Sequence, residues 1–164
     1  MATWFGASNR SMVWRSQANA RDEVTRSRQF DVAQGTVPLD PNDLSCPSGS
    51  CQQTTVTYDG YGRLKTKHVP AQDENTVTTY NYNADDTASS VVDARGSSST
   101  FTYNSRRLVT HVAYEPPAGV TDTPDVSFAY DAAGNRLSMS DGMGSVTYGY
   151  DQLSQLTSET RSFC

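Results

Sequence analysis

Apolar and aromatic residues alternate with small polar residues in five separate stretches of the chain. Each stretch ends in a tyrosine that is followed by Asp or Asn. The five strands predicted in this way are Thr54–Tyr58, Thr78–Tyr82, Ser99–Tyr103, Val126–Tyr130 and Val146–Tyr150. A period of two, with one aromatic and one small polar face, is typical of a strand that is buried on one side.

A turn signal follows each of these tyrosines, which recur at intervals of 24, 21, 27 and 20 residues. Asp or Asn at the first position of a turn bonds to the backbone further on, and glycine supplies a positive φ. Gly62 and Gly134 hold the glycine position in the first and fourth copies, whereas the third copy has Arg106 there and is predicted to form a different turn. Each unit is therefore predicted to be a β-hairpin of about 20 residues.

The residues assigned to the repeat share the strand-end, turn and return-strand positions of these hairpins. They are Tyr58, Asp59, Gly62, Arg63, Leu64, Tyr82, Asn83, Tyr103, Asn104, Leu108, Tyr130, Asp131, Gly134, Arg136, Leu137, Tyr150, Asp151 and Leu156. We interpret the tyrosines as packing residues and Asp or Asn as turn residues, because a catalytic residue is not expected five times at repeat spacing.

The N-terminal third lacks a clear tyrosine-aspartate turn, so the chain is predicted to divide into residues 1–53 and residues 54–164. The stretch Glu23–Val32 alternates in character and is predicted to form a divergent hairpin with Met12–Arg15. A short helix over Gln17–Glu23 is the alternative, since this segment contains good helix formers.

Composition, charge and the distribution of apolar residues constrain this picture further. The chain has nine tyrosines and lacks isoleucine, which favours many short strands around a thin core. Its net charge is -5, and this acidity argues against a nucleic-acid partner. The sequence holds no apolar run of the roughly 18 residues that a membrane span needs, and its N-terminus does not read as a signal peptide.

Few residues are candidates for chemistry. Cys46 and Cys51 flank a Pro- and Gly-containing turn, so we predict a disulfide between them in an oxidising compartment. A zinc site is disfavoured because no second ligand pair lies nearby. His68 and His111 fall in corresponding return strands, and no Ser-His-Asp set can be singled out. We therefore expect no catalytic residue, no metal and no cofactor.

The segments YDGYGRL, from Tyr58 to Leu64, and YDAAGNRL, from Tyr130 to Leu137, resemble the YD repeat of Rhs proteins. The resemblance covers about residues 54–160. In that family, found in bacterial polymorphic toxins, insecticidal toxin complexes and teneurins, hairpins join edge to edge in a spiralling sheet that closes into a hollow shell. In the toxins this shell encloses a C-terminal effector.

The resemblance implies an all-β fold, with consecutive antiparallel hairpins in a curved sheet that is one segment of an Rhs-type shell. It implies as partners the remainder of a larger chain or neighbouring repeats, with an enclosed effector or a surface glycan as further partners. It also implies an extracellular or cell-envelope location as part of a larger exported protein.

Two functional hypotheses follow. In the first, the chain is a structural segment that encloses or displays something else. In the second, it is a stand-alone β module that binds a glycan or a protein through exposed aromatic residues, such as Tyr61 and the tryptophans Trp4 and Trp14. An enzyme has no positive support in the sequence.

Overall fold

The computed structural model describes residues 10–33, 51–73 and 75–164, and these residues form strands and turns. The strands are β1 (Arg10–Ala18), β2 (Val24–Ala33), β3 (Cys51–Tyr58), β4 (Leu64–His68), β5 (Thr78–Tyr82), β6 (Ala88–Val92), β7 (Ser98–Tyr103), β8 (Val109–Glu115), β9 (Val126–Tyr130), β10 (Arg136–Asp141), β11 (Gly144–Tyr150) and β12 (Leu156–Phe163). In these ranges, no helix is long and apolar enough to cross a bilayer.

The chain divides into two compact units, Met1–Val77 and Thr78–Cys164. The first contains β1 to β4 and the second contains β5 to β12. In each unit every strand pairs antiparallel with the strands that precede and follow it in the chain. The predicted all-β fold of consecutive hairpins is confirmed, and β3, β5, β7, β9 and β11 each end at the tyrosine that the repeat assigns to them.

The two faces of the second unit differ in chemistry, as the alternating pattern predicts. On one face Phe101 lies opposite Val112, which lies opposite Val126. On the other face Thr102 lies opposite His111, which lies opposite Ser127. The apolar side chains are mostly half-buried, and among the described residues the buried hydrophobic ones are Val112, 7% exposed, and Val146, 9% exposed. A single sheet layer with so thin a core needs little aliphatic bulk, which is consistent with the composition.

β1 and β2 form a hairpin across the turn that begins at Asn19. The alternative helix over Gln17–Glu23 is wrong, because Gln17 belongs to β1 and the Asn19 side chain bonds to the backbone of the turn instead. Cys46 and the side chain of Cys51 lie outside the described residues, as do Trp4 and the side chain of Trp14. The disulfide therefore stays a prediction.

Candidate functional site: the repeated turns

One backbone turn recurs seven times in the described residues. In each copy the N–H of the first residue donates to the carbonyl of the fifth, at 2.8–3.0 Å, and the N–H of the fourth donates to the carbonyl of the first, at 3.0–3.2 Å. The turns begin at Asn19, Asp59, Asn83, Asp93, Asn104, Asp131 and Asp151. This is the three-residue hairpin loop in which a type I turn is followed by a residue with positive φ.

The fourth residue of all seven turns has a positive φ between 61° and 98°. It is glycine in three turns, and in the others it is Asp22, Asp86, Arg107 and Ser154. The prediction that the third copy turns differently is wrong. Its left-handed residue is Arg107 rather than Arg106, and it adopts the same backbone conformation despite the steric cost that a Cβ carries there.

The side chain of the first turn residue holds this conformation in place. In five turns its Oδ1 accepts the backbone N–H groups of the third and fifth residues at 2.8–3.1 Å. In a sixth, Asp131 Oδ1 accepts from Gly134 and Asn135 instead, at 2.8 and 2.9 Å. Asp and Asn both present an acceptor oxygen at this position, which explains why either residue serves.

These hydrogen bonds change the acidity of several turn carboxylates. A side-chain hydrogen bond from Asn135 lowers the pKa of Asp131, with help from backbone N–H groups and against the opposing effect of burial. The side chain of Arg95 lowers the pKa of Asp93 in the same way. Burial acts to raise the pKa of Asp59, but hydrogen bonds from Arg63 and Tyr61 outweigh it and the pKa is lowered. The turns are therefore most favourable with ionised carboxylates.

The tyrosine before the turn does more than pack. In four hairpins its hydroxyl donates to a backbone carbonyl of the preceding hairpin, at 2.8–3.1 Å. The donor–acceptor pairs are Tyr58 to Val24, Tyr103 to Ala88, Tyr130 to Val109 and Tyr150 to Arg136. Each acceptor lies in the preceding hairpin, where it pairs with the residue that ends the first strand of that hairpin. The hydroxyls thus join consecutive hairpins at one repeated position.

The reason for this bond is visible between β8 and β9. These strands pair at His111 with Ser127 and at Val112 with Val126. The carbonyl of Val109 lies beyond that ladder, toward the turn, and the Tyr130 hydroxyl reaches it at 2.8 Å. A half-buried carbonyl that strand pairing leaves out is stabilised by such a donor.

Turn side chains also contact the turn of the next hairpin. Arg21 donates to the carbonyl of Gly60, and Arg106 donates to the carbonyls of Ala132 and Asp131. Both arginines are the third residue of their turn, and Gly60 and Ala132 are both the second residue of theirs. Neighbouring turns are therefore linked through side chains as well as through the tyrosine hydroxyls.

Residues 126–162 match the RHS Repeat family model. The match covers most of β9 to β12 and confirms the resemblance carried by the YDAAGNRL segment. No curated protein is similar enough in sequence to match the chain.

Solved structures share the fold. The crystal structure of TcdB2-TccC3 superimposes with a TM-score of 0.53 at 16% identity, covering 89% of this chain. The TcdB2-TccC3-Cdc42 crystal structure gives a TM-score of 0.53 at 17% identity over 92% of this chain. The Photorhabdus luminescens Tc holotoxin pore gives 0.52 at 16% identity over 92%. The matched part is 9% of each of those chains, so this chain spans a small fraction of their length.

The Arg and Leu of the Rhs repeat do not occupy one structural position. Arg63 and Asn135 are equivalent fifth turn residues, and both donate to Oδ2 of the first residue, Asp59 and Asp131, at 2.8 and 2.9 Å. Leu108 is the fifth residue of its turn. The position that pairs with the tyrosine before the turn is held by Leu64, Arg136 and Leu156 in their respective hairpins. Leu137, in contrast, is the extra residue in a β-bulge. One added residue in YDAAGNRL produces this offset.

Arg136 gains a packing role from its position in the Rhs repeat. Its guanidinium lies 5.8 Å from the centre of the Phe128 ring and 5.0 Å from that of Tyr148. Cation–π contact of this kind covers the aromatic face where aliphatic side chains are scarce.

The structure also brings together a Ser-His-Asp set that sequence reasoning missed. His111 Nδ1 lies 3.0 Å from Ser127 Oγ, and Nε2 lies 3.2 Å from Asp125 Oδ2. Asp125 Oδ1 in turn accepts the backbone N–H of Tyr114 at 3.1 Å. His111 lies on β8, whereas Ser127 lies on β9 and Asp125 directly precedes it, so the pairing of β8 with β9 brings the histidine to the other two side chains. Their bonds fasten the start of β9 to β8 where the backbone ladder is short.

Proposed function

We propose that this chain is a structural repeat segment of an Rhs-type protein. Its hairpins form part of a β-shell that encloses or displays a toxin or effector, or that mediates contact at the cell surface. Its partners are the rest of a larger chain or neighbouring repeats, and its location is extracellular or in the cell envelope as part of an exported protein.

The observation that carries this proposal is the series of tyrosine hydroxyl bonds that join each of four hairpins to the hairpin before it. Such bonds use the side chains that characterise the repeat, and each joins one hairpin to the hairpin before it. The Ser-His-Asp set has the same purpose, because it fastens two strands of one sheet. We therefore assign the chain no enzyme activity.

The outer edge of β12 offers the next position in this series. Leu156 pairs with Tyr150 in the same way that Val109 pairs with Tyr103 and Arg136 with Tyr130. All eight residues of β12 are exposed, and Leu156 and Phe163 are 55% and 79% exposed. An exposed edge strand invites pairing with another strand. A further tyrosine-aspartate hairpin fits this edge, with its hydroxyl on the carbonyl of Leu156.

The second candidate function is a stand-alone module that binds a glycan or a protein. The observation that favours it is Tyr61, which is 84% exposed at the tip of its turn. Its ring centre lies 5.0 Å from the guanidinium of Arg63, so one ring face has a partner within its own hairpin.

Thermal melting and solution size of the 164-residue chain separate the two candidates. For a shell segment we expect a broad melt and self-association that Thr160→Lys on β12 reduces, because a charge on an edge strand opposes pairing. Thr100→Lys is the matched control, since Thr100 is also exposed but lies on β7, which is paired on both sides. A monomer with a sharp cooperative melt would contradict the segment proposal and favour an autonomous binding module.

A further inference from the structure

The outer edge of β12 carries one charge of each sign. Glu159 and Arg161 lie two residues apart on this strand, and Arg161 Nε donates to Glu159 Oε1 at 2.8 Å. Their side chains are 38% and 63% exposed. Charged side chains commonly protect an edge strand, because like charges repel a second strand. An edge that carries both signs lacks this protection, because an antiparallel copy of itself can set each charge opposite its counterpart.

The backbone groups of alternate β12 residues point away from β11. Among the described strands, β12 pairs with β11 and has no neighbour on its other side. Cys164 donates its N–H to the carbonyl of Met143 at 3.2 Å, so the backbone groups of Cys164 face β11. The pairing with β11 has no register shift between Phe163 and Glu159. Successive strand residues direct these groups to opposite sides, so those of Glu159, Arg161 and Phe163 face the open edge.

Charge selects one register for an antiparallel second copy. The residue on the two-fold axis between the copies can be Glu159, Thr160 or Arg161, and all three choices bring outward-facing backbone groups together. An axis at Glu159 or at Arg161 sets that residue opposite its own copy, so like charges meet. An axis at Thr160 sets Glu159 opposite Arg161 of the second copy, and it does so twice. Directly paired opposite charges stabilise antiparallel strands, whereas like charges destabilise them.

We propose that a second copy of this chain pairs antiparallel with the β12 edge, with the two-fold axis at Thr160. Each Arg161 guanidinium then lies between the Glu159 carboxylate of its own strand and that of the second copy. Phe163, which is 79% exposed in the single chain, lies opposite Thr157 of the second copy and becomes partly covered. The contact therefore combines backbone hydrogen bonds, four alternating charges and an apolar side chain at each end.

This inference rests on the free β12 edge that the proposed function also uses. A further hairpin of a longer chain and a second copy need the same backbone groups, so each excludes the other. The second copy therefore pairs with chains whose β12 edge is not already covered. The proposed function requires only that the edge is free, whereas the second copy also requires the charges of Glu159 and Arg161 in their present order.

Analytical ultracentrifugation of the 164-residue chain and two charge variants tests the pairing of charges. Glu159→Arg leaves two arginines on β12 and Arg161→Glu leaves two glutamates, so each variant alone sets like charges opposite each other. Each should associate about tenfold more weakly than the unmodified chain. An equimolar mixture of the two should recover the association, because every arginine then faces a glutamate. Asp122→Arg makes the same change in net charge in the exposed loop after β8, and it should leave the association unchanged.

Cysteine cross-linking locates the two-fold axis. With the axis at Thr160, the two copies of this residue form a pair without backbone hydrogen bonds, where Cα atoms lie about 4.5 Å apart and a disulfide can span them. Thr160→Cys in a Cys164→Ser background should therefore form a covalent dimer on oxidation with copper phenanthroline. Ser158→Cys in the same background is the matched control and should not, because Ser158 lies opposite Ser162 of the second copy.

Three results would overturn the inference. One is a chain that stays monomeric at high micromolar concentration, in which case the shape of its thermal melt decides the proposed function separately. Another is association that Thr160→Lys abolishes but that neither charge variant weakens, which would leave the free edge of the proposed function intact. The third is cross-linking of Ser158→Cys as efficient as that of Thr160→Cys, which would place the axis elsewhere.

Discussion

Replacing Tyr130 by phenylalanine removes one hydroxyl and leaves the ring in place. The hydroxyl donates to the Val109 carbonyl at 2.8 Å, and both residues are half-buried. The substitution therefore isolates the bond that joins the β9–β10 hairpin to the hairpin before it.

The expected loss follows from what replaces the bond. A hydrogen bond of this kind contributes about 1 kcal/mol net, and a carbonyl left unsatisfied costs about 1–3 kcal/mol when it is fully buried. Because Val109 is only half-buried, water can reach its carbonyl in part, and we expect Tyr130→Phe to lower the free energy of unfolding by about 1 kcal/mol. The Tyr150 bond is longer, at 3.1 Å, and exposed. Tyr150→Phe should therefore cost about half as much.

Urea denaturation followed by circular dichroism measures both losses, provided that the slope of the transition is unchanged. Tyr61→Phe is the control, because Tyr61 is 84% exposed and its hydroxyl can bond to water in either state. The control should stay within about 0.5 kcal/mol of the unmodified chain. If Tyr130→Phe unfolds at the same urea concentration as Tyr61→Phe, the tyrosine hydroxyls do not hold the hairpins together.

Two further predictions concern the turns themselves. Gly134 has a φ of 98°, so Gly134→Ala should cost about 1–2 kcal/mol in a urea titration. Gly60→Ala, where a Cβ meets nothing within 4 Å, should be neutral, and equal losses would contradict the turn geometry. The hydrogen bond from Asn135 lowers the pKa of Asp131 in the folded chain. The ionised Asp131 carboxylate therefore contributes its full stabilisation above the unfolded pKa of about 3.9. This stabilisation disappears as the pH falls through the folded-state pKa. Asp131→Asn should therefore lose less stability than the unmodified chain between pH 5 and pH 2, about the range of that titration, and identical pH profiles would refute the assignment.

The hairpins could be predicted because strand alternation and turn chemistry are local properties. The strands that end at Tyr82 and Tyr150 are marked by period-two alternation and by the Asn or Asp that follows, without a turn glycine, and the structure ends them there. The turn at Asp93 lacks the tyrosine signal, because Val92 stands where the repeat has tyrosine. The same holds for the turn at Asn19, which follows Ala18.

Contacts between hairpins could not be predicted, because they depend on how neighbouring strands are registered. The acceptor of the Tyr130 hydroxyl is 21 residues away along the chain. Whether the Val109 carbonyl is left outside the strand pairing depends on where the ladder of β8 and β9 ends. The meeting of His111 with Asp125 depends on the same register. Neither composition nor spacing carries that information.

The central claim is that turns of different sequence are one structural unit held by the same Asp or Asn contact. Hydrogen exchange of single backbone amides, followed by NMR, tests it most directly. The N–H groups of Arg63, Leu108, Asn135 and Gln155 all donate to the first residue of their turn. We predict that all four exchange slowly, including Leu108, whose turn has Arg107 in place of glycine. Free exchange at Leu108 beside protection at Asn135 would contradict a single repeated unit.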